Sequence, residues 1–256
     1  MTLLGTFSPK PAGVRGAVGA TANNPESEAL RQKIIKLMTD ASHGSERSQQ
    51  KAIGPSEYGH PCARQVAYKV AGVDKQPDYQ DPMPSIIGVA MHAWMEENLP
   101  SDEWLPEHKV HVSETLAGHS DAYHIPTRTV VDWKFLGATQ HQEWTKGYVS
   151  EQYRIQAHSY GQGFVNAGYQ VDRVADAIFC RSKSLQHLFV WSEPWDPSIA
   201  QQALNRLAKI RMYVAASGAG NDNRRPILDI NPTAGDTCFF CRYKGSSDQG
   251  LCDRAK

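Results

Sequence analysis

The chain has 256 residues, of which 40% are hydrophobic, so it is long enough to bury a core and is not disordered throughout. Lysine plus arginine and aspartate plus glutamate both number 27, so the net charge indicates no partner, although a nucleic-acid enzyme needs only a local basic groove. No apolar run approaches the roughly 18 residues of a membrane span, and residues 1–22 lack the pattern of a secretory signal. We therefore expect a cytoplasmic protein without a membrane partner, with its five cysteines serving as metal ligands or core thiols.

The first part of the chain is predicted to be a tail that carries one helix. Residues 1–24 are rich in Gly, Ala, Thr and Pro, which is typical of a flexible segment. Residues 25–41 have helical periodicity, and the apolar residues of one face are Leu30, Ile34, Leu37 and Met38. We assign residues 1–50 to this tail and helix, and residues 51–256 to one folded domain.

The rest of the chain alternates between helical and extended patterns. The predicted elements are a helix over 86–99, a β-rich run over 109–135 with a turn at 125–128, a helix over 151–167, strands over 174–181 and 187–191, and a helix between the caps Asp196 and Gly218. This order predicts a mixed α/β fold with a mixed central sheet flanked by helices.

The strand that ends at Phe135 carries two charged residues on one face. In a strand, residues two apart share a face. Asp132 and Lys134 therefore project together, while Val131, Trp133 and Phe135 form an apolar opposite face. This pairing of a carboxylate with an amine predicts a polar site on one side of the sheet.

The preceding hairpin predicts a second carboxylate at this site. If the turn is centred between Pro126 and Thr127, Asp121 lies directly across from Asp132, with Cβ atoms roughly 4.5–5.5 Å apart. Two carboxylates at that distance repel each other unless a cation lies between them. Mg²⁺ or Mn²⁺ suits such oxygen ligands and leaves positions for water and a phosphate oxygen.

Four motifs in this region resemble those of one nuclease superfamily. Gly118–Asp121 and Asp132–Lys134 resemble the catalytic core of the PD-(D/E)XK nucleases. The RecB-type branch adds an upstream histidine and a Gln-x-x-x-Tyr motif, matched here by His92 and by Gln156 with Tyr160. The resemblance implies a restriction-endonuclease-like (PD-(D/E)XK) core.

The resemblance also implies a role for each of these residues. The divalent metal would be bound by His92, Asp121, Asp132 and the Trp133 backbone carbonyl, and Lys134 would position the attacking water. Gln156 and Tyr160 would contact DNA or brace the site. The implied activity is that of an Mg²⁺- or Mn²⁺-dependent DNA exonuclease that hydrolyses phosphodiester bonds. Its implied substrate is DNA with single-stranded or free ends, in recombination, repair or phage DNA processing.

Four cysteines form a second pattern. Cys238 and Cys241 are a C-x-x-C pair, Cys252 follows, and Cys62 lies far upstream. This arrangement resembles the iron–sulfur branch of the superfamily, which implies a [4Fe–4S] cluster that clips the C-terminal tail to the region around Cys62. Zinc is the alternative, because four cysteines also satisfy tetrahedral Zn²⁺. Cys180, predicted to be a core thiol, is the alternative fourth ligand.

Other functions remain open at this point. A structure-specific endonuclease on the same core would cleave closed circular DNA. A catalytically silent, metal-stabilised DNA-binding subunit is the alternative from another class. Basic side chains near the motifs, among them Arg64 and Arg154, are candidates for phosphate contacts.

Overall fold

The computed structural model describes residues 25–44, 52–76, 81–233, 238 and 241–253. The helices and strands in chain order are α1 (Pro25–His43), α2 (Pro55–Tyr58), α3 (Ala63–Val70), α4 (Met83–Asn98), β1 (Trp104–Ser113), β2 (Leu116–His124), β3 (Thr129–Leu136), α5 (Ala138–Thr145), α6 (Glu151–Asn166), β4 (Arg173–Cys180), β5 (Phe189–Pro194) and α7 (Pro197–Ser217). The predicted tail over residues 1–24 lies outside the described residues.

The strands form one mixed five-stranded sheet in the order β1-β2-β3-β4-β5. Strands β3 and β4 are parallel and the other neighbours are antiparallel. Two parallel strands cannot be joined by a tight turn, and α5 and α6 form the connection between them. The predicted mixed α/β fold with a helix-flanked mixed sheet is confirmed.

Helices cover both faces of the sheet. On one face, Met95 of α4 packs against a cluster that contains Val131 and Trp133 of β3. On the other face, Phe164 of α6 packs against Val130 and neighbouring residues. The prediction that alternate residues of β3 point to opposite sides is therefore confirmed.

The hairpin between β2 and β3 has the predicted register. Ala122 pairs with Val131, and Tyr123 pairs with Val130. Continued by one residue, this register places Asp121 across from Asp132. The ladder is not continued there, because the Asp121 side chain takes the Trp133 backbone N–H instead.

A third cluster joins the C-terminal segment to the helices. Tyr68 of α3, Leu207 of α7 and Ile227 are fully buried there, and Tyr243 and Cys252 pack with them. The predicted helix with caps Asp196 and Gly218 is confirmed, since Asp196 accepts from the Ser198 backbone and Gly218 has a φ of 62°. This cluster brings the segment after residue 240 against α3.

Some elements differ from the sequence-based expectation. The β-rich run begins at Trp104 and contains a separate hairpin between β1 and β2, which the pattern did not resolve. Helices α2, α3 and α5 were not predicted. Helix α1 is present, but none of its residues is buried. Within the described part of the chain, no helix has both the length and the apolar character that a bilayer crossing requires.

Candidate active site

Three side chains form a closed hydrogen-bonded group on the α6 face of β3. Asp132 is 2% exposed, and its Oδ2 forms an ion pair with Lys134 Nζ. Gln156 Nε2 donates to Asp132 Oδ1 at 2.8 Å, and Lys134 Nζ donates to Gln156 Oε1 at 3.2 Å. The Lys134 ammonium also lies 4.2 Å from the centre of the Tyr153 ring. Helix α6 thus fixes both charged residues of the strand.

Asp121 lies at the point where the ladder between β2 and β3 stops. Its Oδ2 accepts a hydrogen bond from the Trp133 backbone N–H at 2.8 Å. Its Oδ1 lies 3.2 Å from Nδ1 of His92, which is a residue of α4. The structure therefore brings His92 and Asp121 close to Asp132 and Lys134 of β3. The resemblance of the four motifs implied this arrangement.

Glu107 is a member of this group that the sequence analysis missed. One ligand atom from each of His92, Glu107 and Asp121 lies within 4.8 Å of the other two. Glu107 lies on β1 between residues that pair with Ala122 and Ser120, so it is adjacent to Asp121. Its φ of 43° is left-handed, which is uncommon for a residue other than glycine. This local distortion of β1 accompanies the placement of its carboxylate beside His92.

Asp176 is a second residue that was missed. It lies on β4 in direct parallel register with Asp132 and is fully buried. Neither of its carboxylate oxygens has a hydrogen-bond partner among the described residues. A buried carboxylate without hydrogen bonds is costly when it is charged. Asp176 therefore adds a second carboxylate, after Asp132, close to Lys134.

The electrostatics of the group indicate an excess of negative charge. Burial and the nearby Asp121 carboxylate together raise the pKa of Asp132 to about 6, against the opposing effect of Lys134. Burial, and then Asp132, also raise the pKa of Asp176. Burial alone would lower the pKa of Lys134, but the Asp132 and Asp176 carboxylates raise it above its ordinary value. Raised carboxyl pKa values of this kind are relieved by a bound cation.

The donor atoms present suit a hard divalent cation. His92 offers an imidazole nitrogen, and Glu107, Asp121 and Asp132 offer carboxylate oxygens. Carboxylates with one imidazole suit Mg²⁺ or Mn²⁺ better than they suit thiolate-seeking metals. The residues present therefore fit the metal that the motifs imply.

Tyr160 lies behind this group. It is 6% exposed, and its pKa is raised by burial and by the nearby Asp132 and Asp121 carboxylates. Gly118, the first residue of the Asp121 motif, leaves no room for a Cβ, which would lie 3.3 Å from the Tyr160 ring and closer still to Pro55. Gln156 and Tyr160 therefore lie on the side of α6 that faces Asp132.

The four cysteines predicted as ligands lie at the junction of α3 and the C-terminal segment. Cys62 immediately precedes α3, and Cys252 forms a β-bridge with Lys244. Burial raises the pKa of the Cys241 thiol, and the neighbouring thiols of Cys62, Cys252 and Cys238 raise it further. Among the described residues, the one group of three or more metal-ligating side chains within 4.8 Å of one another is His92, Glu107 and Asp121, so the cysteine sulfurs are not gathered into a site of that spacing.

Two arginines face the cysteines. Arg64 is 6% exposed, and its Nη1 donates to Cys252 Sγ at 3.4 Å. Its other nitrogens donate to the carbonyls of Ile230 and Leu228. Burial lowers the pKa of the Arg206 guanidinium, and the nearby Cys62 thiol opposes that shift. A buried cation such as Arg64 beside a thiol favours the negatively charged thiolate.

Some candidates take other places in the structure. Cys180 is buried at the end of β4, where its Sγ contacts Ser182, as expected of a core thiol. Arg64, one of the candidates for phosphate contact, is buried and committed to the contacts above. Arg154 Nε donates to Glu193 at 2.6 Å, which leaves it paired on the protein surface.

Comparisons with known proteins find similarity in three-dimensional structure. No family model matches the sequence, and no curated protein matches it either. An alkaline exonuclease from Laribacter hongkongensis is 9% identical with a TM-score of 0.47, and the alignment covers 65% of this chain and 89% of that chain. Its complex with dAMP gives 10% identity, a TM-score of 0.48 and the same coverage. A phage-related exonuclease from Haemophilus somnus 129PT is 12% identical with a TM-score of 0.44, and the alignment covers 61% of this chain and 82% of that chain. Because these TM-scores are low, the function of this chain is argued from its own site.

Proposed function

We propose that this protein is a metal-dependent deoxyribonuclease with a RecB-type PD-(D/E)XK active site, acting as an exonuclease on DNA ends. The observation that carries the proposal is the convergence of Asp121, Asp132 and Lys134 on one site, with His92 beside Asp121. In this proposal residues 51–256 are the nuclease domain and residues 1–50 an appended tail and helix. The preference for single-stranded ends rests on the motif resemblance.

The metal would be held by side chains from four elements. His92 of α4, Asp121 of β2 and Asp132 of β3 are the proposed ligands, with the Trp133 carbonyl beside them. Glu107 of β1 is an additional donor on the His92 side of the group. When bound, Mg²⁺ or Mn²⁺ acts as a Lewis acid on the scissile phosphate and lowers the pKa of its water.

Lys134 acts in its protonated form. The carboxylates around it keep its pKa above the ordinary value, so it remains an ammonium at neutral pH. An ammonium cannot accept the proton of the attacking water, but it can orient that water and favour hydroxide electrostatically. Gln156 holds Lys134 and Asp132 at their relative position, and Tyr160 supports Gln156 from behind.

A digestion assay on linear and closed circular DNA with Mg²⁺, with Mn²⁺ and with chelator tests this function. We expect metal-dependent loss of linear DNA, with free ends required. Lys134→Ala should lower the rate by on the order of 10² to 10⁴ if Lys134 acts on the attacking water. Lys209→Ala, on the exposed side of α7, is the matched control and should leave the rate unchanged.

Each other outcome points to a different conclusion. Cleavage of closed circles would assign an endonuclease on the same core. The absence of metal-dependent cleavage from a folded protein that binds DNA would assign a silent DNA-binding subunit. Undiminished cleavage by Lys134→Ala would remove Lys134 from the mechanism.

We also infer that Cys62, Cys238, Cys241 and Cys252 hold a structural metal centre, and we favour a [4Fe–4S] cluster over zinc because the spacing resembles the iron–sulfur branch. The buried Arg64 guanidinium beside Cys252 supports this inference, because it suits the negative charge of a thiolate centre. A cytoplasmic location accompanies this inference, since free thiolate ligands persist in a reducing compartment.

Anaerobic purification followed by an ultraviolet–visible spectrum and metal analysis separates the two metals. A brown protein with broad absorption at the violet–blue end of the spectrum, and with iron and sulfide, supports the cluster. A colourless protein with one zinc per chain supports the alternative. A stable, folded protein with neither metal contradicts both.

A further inference from the structure

Two phenylalanines stack on one face of the sheet near the carboxyl ends of β3 and β4. Phe135 and Phe179 are partners in the parallel register, so their side chains share a face. Their ring centroids are 4.9 Å apart and their planes 18° apart. Both residues are half-buried, so the pair lies at the boundary between the core and solvent. The ring of Phe179 therefore has Phe135 on one side and strand β5 on the other.

The side of Phe179 toward β5 is accessible. Val190 of β5 pairs with Ala177, so it lies on the same face of the sheet as Phe179. Val190 is 53% exposed. In contrast, Val131 and Trp133 of β3, on the same face, are buried in the cluster against which α4 packs. Helix α4 thus covers this face over β3 and leaves it open at Val190, beside the free side of the Phe179 ring.

The stacked pair adjoins the candidate active site. The edge of one ring meets the other between His92 and Phe135, whose centroids are 5.6 Å apart. His92 in turn lies 3.2 Å from Asp121, and Phe135 follows Lys134 directly in the chain. A DNA strand with one phosphate beside His92 and Asp121 would therefore have its next nucleotides close to Phe135 and Phe179.

Two cations follow the stacked pair along the chain. Arg181 and Lys183 come directly after β4. The Arg181 backbone N–H donates to the Leu136 carbonyl at 2.9 Å, which places Arg181 beside the end of β3. A Cβ atom added to Gly137 would lie 3.2 Å from Arg181 Nη2, so the guanidinium lies against the backbone of that glycine. Within the described part of the chain, neither cation forms an ion pair. Both charges are therefore available to phosphate.

We propose that a base of single-stranded DNA stacks on the β5 side of the Phe179 ring, within a few nucleotides of the scissile phosphate, while Arg181 contacts a phosphate of the same strand. Aromatic rings beside cationic side chains are typical of single-strand binding without sequence preference, because every base has a flat face. A duplex keeps its bases stacked on one another and cannot offer them to the ring. This binding mode depends on the proposed function for the position of the scissile phosphate.

Fluorescence anisotropy of the full-length protein with a labelled oligothymidine of about 12 nucleotides tests the stacking. Ca²⁺ replaces Mg²⁺ so that oxygen ligands are occupied, and electrophoresis afterwards verifies that the oligonucleotide is intact. Phe179→Leu keeps an apolar side chain but has no aromatic face, and should weaken affinity about fivefold or more. Phe189→Leu is the matched control. Phe189 is also half-buried, but it pairs with Ile178 on the opposite face, so its replacement should leave affinity unchanged.

Arg181→Gln tests the phosphate contact through the salt dependence of the same binding. The slope of log affinity against log salt concentration should become shallower by about 0.7, the contribution of one phosphate contact on a single strand. Phe179→Leu should leave this slope unchanged, because stacking neutralises no phosphate. Arg173→Gln is the control at the other end of β4, where Arg173 Nη2 donates to Ser192 at 3.0 Å. Because Arg181 forms no ion pair among the described residues, its variant should melt as the wild type does and so excludes a folding artefact.

A blunt duplex of the same length separates stacking from a general loss of binding. The wild-type protein should prefer the single strand, and Phe179→Leu should reduce that preference. An unchanged preference in Phe179→Leu, or an unchanged salt slope in Arg181→Gln, would overturn the binding mode. If metal-dependent digestion of linear DNA persisted in that case, the proposed function would stand without it. If digestion were absent but both variants behaved as expected, the chain would bind single strands without hydrolysing them.

Discussion

Gln156 Nε2 donates to Asp132 Oδ1 at 2.8 Å while Gln156 Oε1 accepts from Lys134 at 3.2 Å. The amide of Gln156 thus contacts both the acidic and the basic residue of β3. Its N–H donates to the carboxylate, and its oxygen accepts from the ammonium. Both charged groups are buried, so a small displacement of either one changes the electrostatics of the whole site. Gln156 is therefore a positioning residue for Asp132 and Lys134.

Replacement of Gln156 tests this role. Gln156→Ala should reduce the cleavage rate roughly 10- to 100-fold, because groups that orient metal ligands typically contribute that much. Gln156→Glu should be worse at neutral pH, because a carboxylate beside Asp132 repels it and cannot donate to it. Rates under single-turnover conditions with saturating DNA measure the effect on chemistry.

A glutamine elsewhere on the same helix supplies the control. Gln162 hydrogen-bonds with Asn166 on the exposed side of α6, and Gln162→Ala should leave the rate unchanged. If Gln156→Ala lost no more activity than this control, or if Gln156→Glu were fully active, the positioning role would be wrong. A parallel loss of melting temperature in both Gln156 variants would assign a purely structural role.

Glu107→Gln tests whether Glu107, the fourth side chain of the proposed metal site, contributes to metal binding. The amide keeps the size of the side chain but removes the negative charge beside His92 and Asp121. We expect Mn²⁺ affinity to fall about tenfold or more, by analogy with the effect of groups next to metal ligands. Calorimetric titration of the metal-free protein with Mn²⁺ measures this affinity. Glu114→Gln, in the exposed β1–β2 turn, is the control, and equal affinities in the two variants would exclude Glu107 from the site.

Metal affinity should also depend on pH. In the metal-free folded protein, burial and the neighbouring Asp121 raise the pKa of Asp132 from 3.8 to about 6. A metal ion must displace this proton below about pH 6, so affinity should fall by up to about tenfold per pH unit there and level off above it. Calorimetric titrations with Mn²⁺ between pH 5 and pH 7.5, the first about one unit below this pKa, measure the slope. Asp132→Asn should bind weakly at every pH, and a flat wild-type profile over this range would contradict the raised pKa.

The same shift has a consequence for the stability of the metal-free protein. Between pH 3.8 and about 6, Asp132 holds a proton in the folded state that it loses in the unfolded chain. Because the folded state binds more protons in that window, the contribution of Asp132 to stability decreases as the pH rises through it. Saturating metal should remove this decrease in stability, because the bound cation then neutralises the ionised Asp132 carboxylate.

The sequence predicted the parts of the site that follow from local rules. Alternation along a strand placed Asp132 and Lys134 on one face, and the turn set the register that brings Asp121 close to them. Helical spacing placed Gln156 and Tyr160 on one face of α6. Each of these inferences depends on a periodicity or a short turn, which single sequences show directly.

Two acidic residues could not be predicted in this way. Asp176 lies within an apolar run, and its relation to Asp132 depends on the parallel pairing of β3 with β4, which are joined through two helices. Glu107 depends on a left-handed backbone conformation at one position of β1, with a φ of 43°. No sequence pattern indicates such a conformation for a glutamate. For Asp176, the only available signal in the sequence was a lone aspartate in an otherwise apolar strand.

Cys241→Ala tests the proposed thiolate centre. In the proposed centre, Cys241 would contribute one of four sulfurs that join the C-terminal segment to α3, and this segment carries the buried residues Tyr243 and Cys252. A structural metal can contribute on the order of 10 kcal/mol, which is comparable to the net stability of a domain. We therefore expect the variant to lose its metal and to unfold at much lower denaturant concentration. Metal content and denaturant unfolding, measured on the same anaerobic preparation, check both effects.

Cys180→Ala provides the matched control for this prediction. Cys180 is a buried thiol that lies at the end of β4 and contacts Ser182, away from the C-terminal segment. Its replacement removes only a small side chain from the core, so metal content should be unchanged and the loss of stability modest. If Cys241→Ala kept its metal and its stability, Cys241 would not be a ligand. If Cys180→Ala lost the metal while Cys252→Ala kept it, the fourth ligand would be Cys180, and the buried Arg64 beside Cys252 would need another explanation.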